Sequence, residues 1–162
     1  MQVAHRPTSL RPRLALLSIG LCLSAGLAWG HGDVTPQAVD TKELPPLGEK
    51  WRAENPYRKN DKAIKVGSSA YNQNCARCHG LEAISGGIAP DLRKLDNDCS
   101  SMKDEKKKGA CVKEMDDYFA GSVRRGKVRN GAVYMPPFEG IINQEGVWAI
   151  KAYLETRRER PL

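Results

Sequence analysis

Cys75-Ala76-Arg77-Cys78-His79 carries the strongest signal in this chain, because two cysteines stand three positions apart and a histidine directly follows the second. Side chains at this spacing lie about one helical turn apart, so both thiols can add across the two vinyl groups of one porphyrin while the histidine points at the iron. The motif therefore predicts one covalently attached haem c, with Cys75 and Cys78 as attachment residues and His79 as an iron ligand.

Two other functions of a Cys-x-x-Cys pair fit less well. A zinc site would need a second pair of Cys or His residues at ligand spacing, and the sequence has none. A thioredoxin-like redox dithiol would open a helix after a strand in a βαβ pattern, which the surrounding sequence lacks. Haem attachment remains the preferred interpretation.

The first 30 residues have the pattern of a cleaved signal peptide. Arginines precede an uncharged apolar stretch from Leu14 to Leu27, which is too short for a comfortable membrane span. Small residues flank Trp29, so we expect the mature chain to begin at His31, with cleavage after Ala28 as the alternative. This pattern predicts export, with the periplasm as the destination.

Removal of this leader reduces the positive charge of the chain. The whole sequence has 26 Lys and Arg against 19 Asp and Glu, and the leader contains three of the arginines and no acid, so the balance becomes 23 minus 19, or +4. The remaining length is enough for one domain. A nucleic-acid-binding function is not supported by this modest charge in an exported protein.

Residues 31–60 are rich in proline and charge and show neither helical nor alternating periodicity. We therefore expect an extended N-terminal arm, fixed to the body by Trp51 and Tyr57. Such an arm is either a structural strap or a partner-binding segment. Residues 61–162 are expected to form the haem-binding domain.

Three helices are indicated by apolar residues at helical spacing. They are expected at Asp61–Asn74, at about Glu114–Arg125 and at about Gln144–Arg158. The middle helix would carry an apolar side formed by Met115, Tyr118, Phe119 and Val123. No strand is indicated, except for a weak pattern at 132–134, so the predicted class is all-α.

The second axial ligand distinguishes electron carriers from haem enzymes and sensors. Histidine is nearly excluded, since His5 lies in the leader and His31 at the expected mature terminus. Met135 is the strongest candidate because it follows a glycine-containing loop and precedes Pro136 and Pro137, which stiffen the backbone.

Two other methionines are weaker candidates. Met115 lies on the apolar side of a predicted helix, where a core role is commoner, and Met102 lies in a lysine-rich segment where we expect exposure. A His79 and Met135 pair would close both faces of the haem and favour electron transfer without catalysis. The alternative is a haem enzyme or gas-binding sensor with an open or displaceable sixth position.

From about residue 61 to residue 158 the chain resembles the class I cytochromes c, in which the first helix ends in C-x-x-C-H and a methionine loop precedes the last helix. The resemblance implies helices packed around one haem. It implies that the carbonyl of Pro90 accepts a hydrogen bond from the second ring nitrogen of His79. It also implies that Gly67 and Tyr71 cross the last helix near Tyr153.

Three segments resemble more narrowly the PedF-type periplasmic cytochromes c, which accept electrons from pyrroloquinoline-quinone-dependent alcohol dehydrogenases. The segments are residues 31–36 (HGDVTP), 71–81 (YNQNCARCHGL) and 85–92 (SGGIAPDL). The resemblance implies a quinoprotein alcohol dehydrogenase as electron donor and a terminal oxidase or another cytochrome as acceptor. We expect a monomer without stable membrane insertion.

The segment between Cys99 and Cys111 departs from the class I pattern and is expected to be an inserted, charged loop. An even pair of cysteines in an exported protein predicts a disulfide, with two free thiols as the alternative. The lysines of this loop form either a solvated face or a positive docking rim together with five other cations. The rim would contain Lys103, Lys106, Lys107, Lys108, Arg77, Arg124, Arg125, Lys127 and Arg129.

Overall fold

The structure is a computed structural model that describes Gln2 and residues 35–162. The expected signal peptide, its cleavage site and the start of the arm lie outside the described residues. Residues 35–60 contain turns but no helix or strand. Tyr57 is buried and Trp51 packs half-buried against the core, and Leu44 is a further buried contact of this arm.

The described part of the chain is mostly helical. Five α-helices and one antiparallel hairpin follow the arm, and the α-helices other than the second and third are long enough to build the core. In chain order the elements are α1 (Asp61–Asn74), α2 (Ala76–His79), α3 (Asn97–Ser100), α4 (Glu105–Arg125), β1 (Lys127–Arg129), β2 (Ala132–Met135) and α5 (Gln144–Glu155), with short 3₁₀ turns at Leu81–Ala83 and Leu92–Lys94. Among the helices of the described residues, none is both long and apolar enough to cross a membrane.

Helices α1 and α5 pack against each other at very short range. A Cβ atom added to Gly67 would lie 1.9 Å from the Ala149 carbonyl oxygen, so only glycine permits this backbone approach. The rings of Tyr71 and Tyr153 lie 5.3 Å apart between centroids. The predicted crossing of the first and last helices is thus present, and α1 has the predicted bounds.

Helix α4 begins nine residues before the expected Glu114, which corrects the prediction of a charged loop from Cys99 to Cys111. The Asp104 carboxylate caps the helix by accepting hydrogen bonds from the backbone N–H groups of Lys106 and Lys107. Lysine and glutamate favour helix, so this first part forms on propensity and capping without an apolar face.

The buried side of α4 is also narrower than predicted. Phe119 and Val123 are buried, whereas Tyr118 is exposed and packs its ring beneath the ammonium of Lys127, 4.5 Å from the ring centroid. At the other end of the chain, α5 ends at Glu155 rather than near Arg158.

Strand β2 includes the weak strand pattern expected at 132–134, whereas β1 and the pairing of the two strands correct the expectation that the rest of this region is a loop. Asn130 and Gly131 both have positive φ angles, 51° and 78°, as a type I′ turn requires. Val128 pairs with Val133 across the two strands. An Asn-Gly pair between β-branched residues is a strong hairpin signal, so the sequence contained the information needed to predict it.

Cys99 and Cys111 form a disulfide whose Cα atoms are 5.6 Å apart, which matches the pairing that the sequence predicted. Because Cys99 is in α3 and Cys111 is in α4, the bridge joins two helices.

A buried network of charged side chains was not predicted. Lys151 is 0% exposed, and its ammonium lies 3.0 Å from Asp96 and 3.6 Å from Asp116. Arg58 from the arm reaches Asp116 at 2.5 Å and Glu155 at 2.6 Å. The network therefore connects the arm to α4, to α5 and to the residue that precedes α3. Its members are Arg58, Asp96, Asp116, Lys151, Glu155 and Arg158.

Candidate haem site

The Cys-x-x-Cys-His motif lies where α1 passes into α2, a single helical turn. The backbone N–H groups of Cys78 and His79 both donate to the Cys75 carbonyl, at 3.1 and 2.9 Å. This turn places both cysteines and the histidine close together, as the spacing predicted. The two thiols are not joined to each other, and Cys75 packs partly buried against the core.

Burial, with a smaller contribution from the neighbouring Cys78, raises the pKa of the Cys75 thiol to about 12. A thiol in this environment stays neutral at physiological pH, which makes it a poor thiolate ligand or redox nucleophile. Within residues 35–162, no cluster of three or more His, Cys, Asp or Glu side chains is arranged to hold a metal ion.

The imidazole of His79 is oriented by the backbone of Pro90. Its Nδ1 lies 2.8 Å from the Pro90 carbonyl oxygen, which can only accept, so Nδ1 carries the proton and donates. In the neutral ring this tautomer leaves the lone pair of Nε2 available to a metal. Hydrogen bonds of this kind fix the tautomer and raise the basicity of a ligating histidine.

Tyr71 stabilises the backbone that follows the motif. Its hydroxyl donates to the Gly80 carbonyl at 2.7 Å, and burial raises the pKa of Tyr71 well above its usual value, so the donor proton is retained. Gly80 itself has a φ of 80°, and an added Cβ would lie 1.8 Å from the Ile84 carbonyl oxygen. The sequence placed Tyr71 on the α1 to α5 contact but gave no indication of this second role.

Met135 is the last residue of β2 and not part of a loop. Its side chain is half-buried and packs against the same core as Cys75. The chain after it is held to α4, since Phe138 N–H donates to the Val123 carbonyl at 3.0 Å. Gly126 passes close by, with its Cβ position 2.3 Å from the Met135 carbonyl oxygen.

The other two methionines of the described part are half-buried as well. Met115 is in α4, but it is not among the buried residues of the core, so the expected core role stays a prediction. Met102 is less exposed than predicted. It follows α3 directly, and its backbone N–H donates to the Cys99 carbonyl at 3.2 Å.

The residues around the motif fit a haem. Two unpaired thiols and an oriented histidine lie on one turn, and three large apolar side chains in the following ten residues are exposed: Leu81, Ile84 and Ile88. Apolar side chains left in contact with water next to attachment thiols indicate a surface that another apolar group covers. A porphyrin joined at these cysteines would provide that cover.

The chain belongs to the cytochrome c family and carries covalently bound haem c with iron. Residues 62–154 match the family model described as cytochrome c oxidase, cbb3-type, subunit III. The chain is 57% identical to cytochrome c550 of Pseudomonas aeruginosa over 145 residues, which is 87% of this chain and 90% of the relative.

More distant relatives are much longer proteins. Quinohemoprotein alcohol dehydrogenase ADH-IIG of Pseudomonas putida is 35% identical over 103 residues, 63% of this chain but 12% of that protein. Quinohemoprotein alcohol dehydrogenase ADH IIB of the same species is 29% identical over 125 residues, 74% of this chain and 16% of that protein. No solved structure shows significant similarity to the chain.

Proposed function

We propose that this protein is a class I cytochrome c whose single haem is attached at Cys75 and Cys78 and ligated by His79 and Met135. The observation that carries the His79 assignment is the 2.8 Å contact between its Nδ1 and the Pro90 carbonyl, because it fixes the tautomer in which Nε2 would be free to bind iron. When bound, the haem supplies a one-electron Fe(III)/Fe(II) couple.

The protein acts as an electron carrier rather than an enzyme. Methionine at the sixth position raises the reduction potential and leaves no open site for a substrate or a gas. Pro136 and Pro137 restrict the backbone directly after Met135, and Gly126 packs against its carbonyl, so the thioether is held on a stiff segment. In this proposal Cys75 and Cys78 hold the haem, His79 orients it, and Met135 excludes exogenous ligands from the sixth position.

The donor we propose is a quinoprotein alcohol dehydrogenase. The chain is similar to 12% and 16% of the length of two quinohemoprotein alcohol dehydrogenases, in each case a share the size of one small domain. A separate chain of this kind would carry electrons away from such an enzyme after export to the periplasm. The acceptor is a terminal oxidase or another cytochrome of the respiratory chain.

The visible spectrum of the ferric protein tests the ligand assignment. We expect a low-spin spectrum with a methionine–iron charge-transfer band that disappears in Met135→Ala and persists in the control variants Met115→Leu and Met102→Leu. A high-spin ferric protein that binds cyanide readily would instead support the haem enzyme or gas sensor.

Reduction by a purified quinoprotein alcohol dehydrogenase and its alcohol tests the partner. We expect the ferric protein to be reduced at a rate that depends on ionic strength. No reduction at any ionic strength would remove this donor from the proposal.

A further inference from the structure

The nine cations of the predicted docking rim do not lie together. The lysine patch, defined as Lys103, Lys106, Lys107 and Lys108, is at the amino-terminal end of α4, while Arg125 is at its carboxyl-terminal end. At 1.5 Å per residue, Lys106 and Arg125 are about 28 Å apart along the helix axis. These groups therefore belong to two separate surfaces.

The second surface, the hairpin patch, combines cations with exposed apolar side chains. Its members are Arg125, Lys127, Val128, Arg129, Val133 and Tyr134. Val128 and Val133 face each other across the strands and are 68% and 65% exposed, and Tyr134 is 65% exposed. An apolar centre with Arg and Tyr around it is the composition of protein–protein binding sites.

The charge of the two patches differs. Residues 124–135 contain four cations and no acid, whereas the lysine patch is interrupted by Asp104 and Glu105. Lys108 lies 3.4 Å from Glu105. Within residues 35–162, Arg125, Lys127 and Arg129 form no ion pair, while neighbouring Arg124 is paired with Glu139. Lys103, Lys106 and Lys107 also form no ion pair within the described residues, but the two acids among them reduce residues 103–108 to a net charge of +2. Residues 124–135 have a net charge of +4, so the hairpin patch is the more positive of the two surfaces.

The hairpin is also preorganised and adjoins the proposed ligand. The Asn130-Gly131 turn fixes its two strands, and Lys127 is the strand partner of Met135. A partner bound at this patch would contact the same short sheet that supplies the sixth iron ligand.

We propose that the hairpin patch is the docking surface for the electron donor and binds an acidic face of that protein which surrounds an apolar spot. This inference rests on the proposed function. The positive charge of the patch attracts the acidic face of the donor. Val128 and Val133 provide apolar surface that is removed from water when the donor binds. The lysine patch remains in solvent.

Two variants with equal change in net charge test the proposal. Arg125→Glu/Arg129→Glu alters the hairpin patch, and Lys106→Glu/Lys107→Glu alters the lysine patch. At low ionic strength we expect the hairpin variant to be reduced by a quinoprotein alcohol dehydrogenase about tenfold more slowly in second-order rate, with a matching loss of affinity in surface plasmon resonance. The lysine variant should stay within about twofold of the unmodified protein, and high salt should remove the difference.

A third variant tests the apolar centre. Val128→Ser/Val133→Ser keeps the charge, so its loss of affinity, expected to be at least about threefold, should persist at high salt. Equal rates and affinities for the unmodified protein and the hairpin variant, or a larger loss in the lysine variant, would overturn the docking surface.

The controls separate this inference from the proposed function. The extent of reduction by excess ascorbate and the visible spectrum should be the same in all variants, which shows that the haem site is intact. If the unmodified protein is never reduced by the dehydrogenase and shows no binding to it, both proposals fail together. If it is reduced normally and the variants do not differ, the docking surface alone is wrong.

Discussion

The ammonium of Lys151 lies 3.0 Å from the Asp96 carboxylate, and both side chains are buried. Arg158 contacts the same carboxylate at 2.7 Å. Counting Arg58, Asp116 and Glu155, the network has three cations and three carboxylates, so its formal charge is balanced. Removal of any one member leaves the charge of this buried network unbalanced, which is far more unfavourable than the loss of an exposed ion pair.

Asp96→Asn should lower the free energy of unfolding by about 3 kcal/mol at pH 7, because Lys151 and Arg158 then lose their shared counter-ion. Urea denaturation measures this. The matched control is Asp40→Asn, whose carboxylate is exposed and lies 3.9 Å from Lys42; we expect a change below about 0.5 kcal/mol. Equal effects of the two substitutions would show that burial does not matter here.

Acid should destabilise the protein through the same carboxylate. Burial alone would raise the pKa of Asp96, but Lys151 and Arg158 outweigh it and hold the pKa below its usual range. A carboxyl with a depressed pKa stabilises the folded state at pH values above its pKa in the unfolded chain, which is about 3.9. This stabilisation is lost as the pH falls towards and through the lower pKa of the folded state. Burial raises the pKa of Glu155. That carboxyl therefore has the opposite effect: it lowers the stability of the folded state as pH rises above the unfolded value of about 4.3.

We therefore expect the free energy of unfolding to fall between about pH 4 and pH 2 more steeply in the unmodified protein than in Asp96→Asn. Urea titrations at several pH values measure both slopes. Parallel slopes would contradict the assignment of a depressed pKa to this carboxyl.

Gly67→Ala should be strongly destabilising. Its new Cβ would lie 1.9 Å from the Ala149 carbonyl oxygen, a backbone atom that cannot move unless α1 and α5 separate. We expect a loss of about 3 kcal/mol or more in the free energy of unfolding. Gly109→Ala in α4 is the control, because nothing lies within 4 Å of its Cβ position and alanine favours helix by about 1 kcal/mol. The two substitutions should thus shift the thermal midpoint in opposite directions.

Tyr71→Phe removes the hydroxyl that donates to the Gly80 carbonyl at 2.7 Å. The carbonyl is left without this partner directly after His79, and we expect a loss of about 1 to 2 kcal/mol. Tyr118→Phe is the control, since that ring is exposed and phenylalanine keeps its contact with Lys127; its effect should stay below about 0.5 kcal/mol. A comparable loss in both variants would contradict the role of the Tyr71 hydroxyl.

The parts of the fold that the sequence predicted are those with local signals. Helix α1 combines apolar spacing with an Asn60 side chain that caps Ala63 N–H, and its bounds were predicted correctly. The first half of α4 has no apolar spacing, so periodicity could not reveal it. Only β2 of the hairpin had a weak signal, at 132–134, because both strands are short and exposed and so show little alternation of apolar and polar residues.

The same distinction applies to the candidate site. Cys75, Cys78 and His79 lie on one turn, so their proximity follows from spacing alone. The hydrogen bond from His79 to Pro90 joins residues 11 positions apart, and it was predicted from the family resemblance rather than from spacing. The charged network could not be predicted, because Arg58 and Lys151 are far apart in the sequence and the fold alone brings their carboxylate partners together.

The Cys99 to Cys111 disulfide should stabilise the protein through the unfolded state. It closes a segment with a sequence separation of 12, which limits the unfolded chain and contributes about 2 to 3 kcal/mol in the chain-entropy account. Cys99→Ala/Cys111→Ala should therefore lower the urea midpoint without altering the visible spectrum. Because thioether bonds resist thiol reductants, dithiothreitol should reproduce this loss in the unmodified protein and have no further effect on the double variant. A reductant effect in the double variant would show that another bond is responsible.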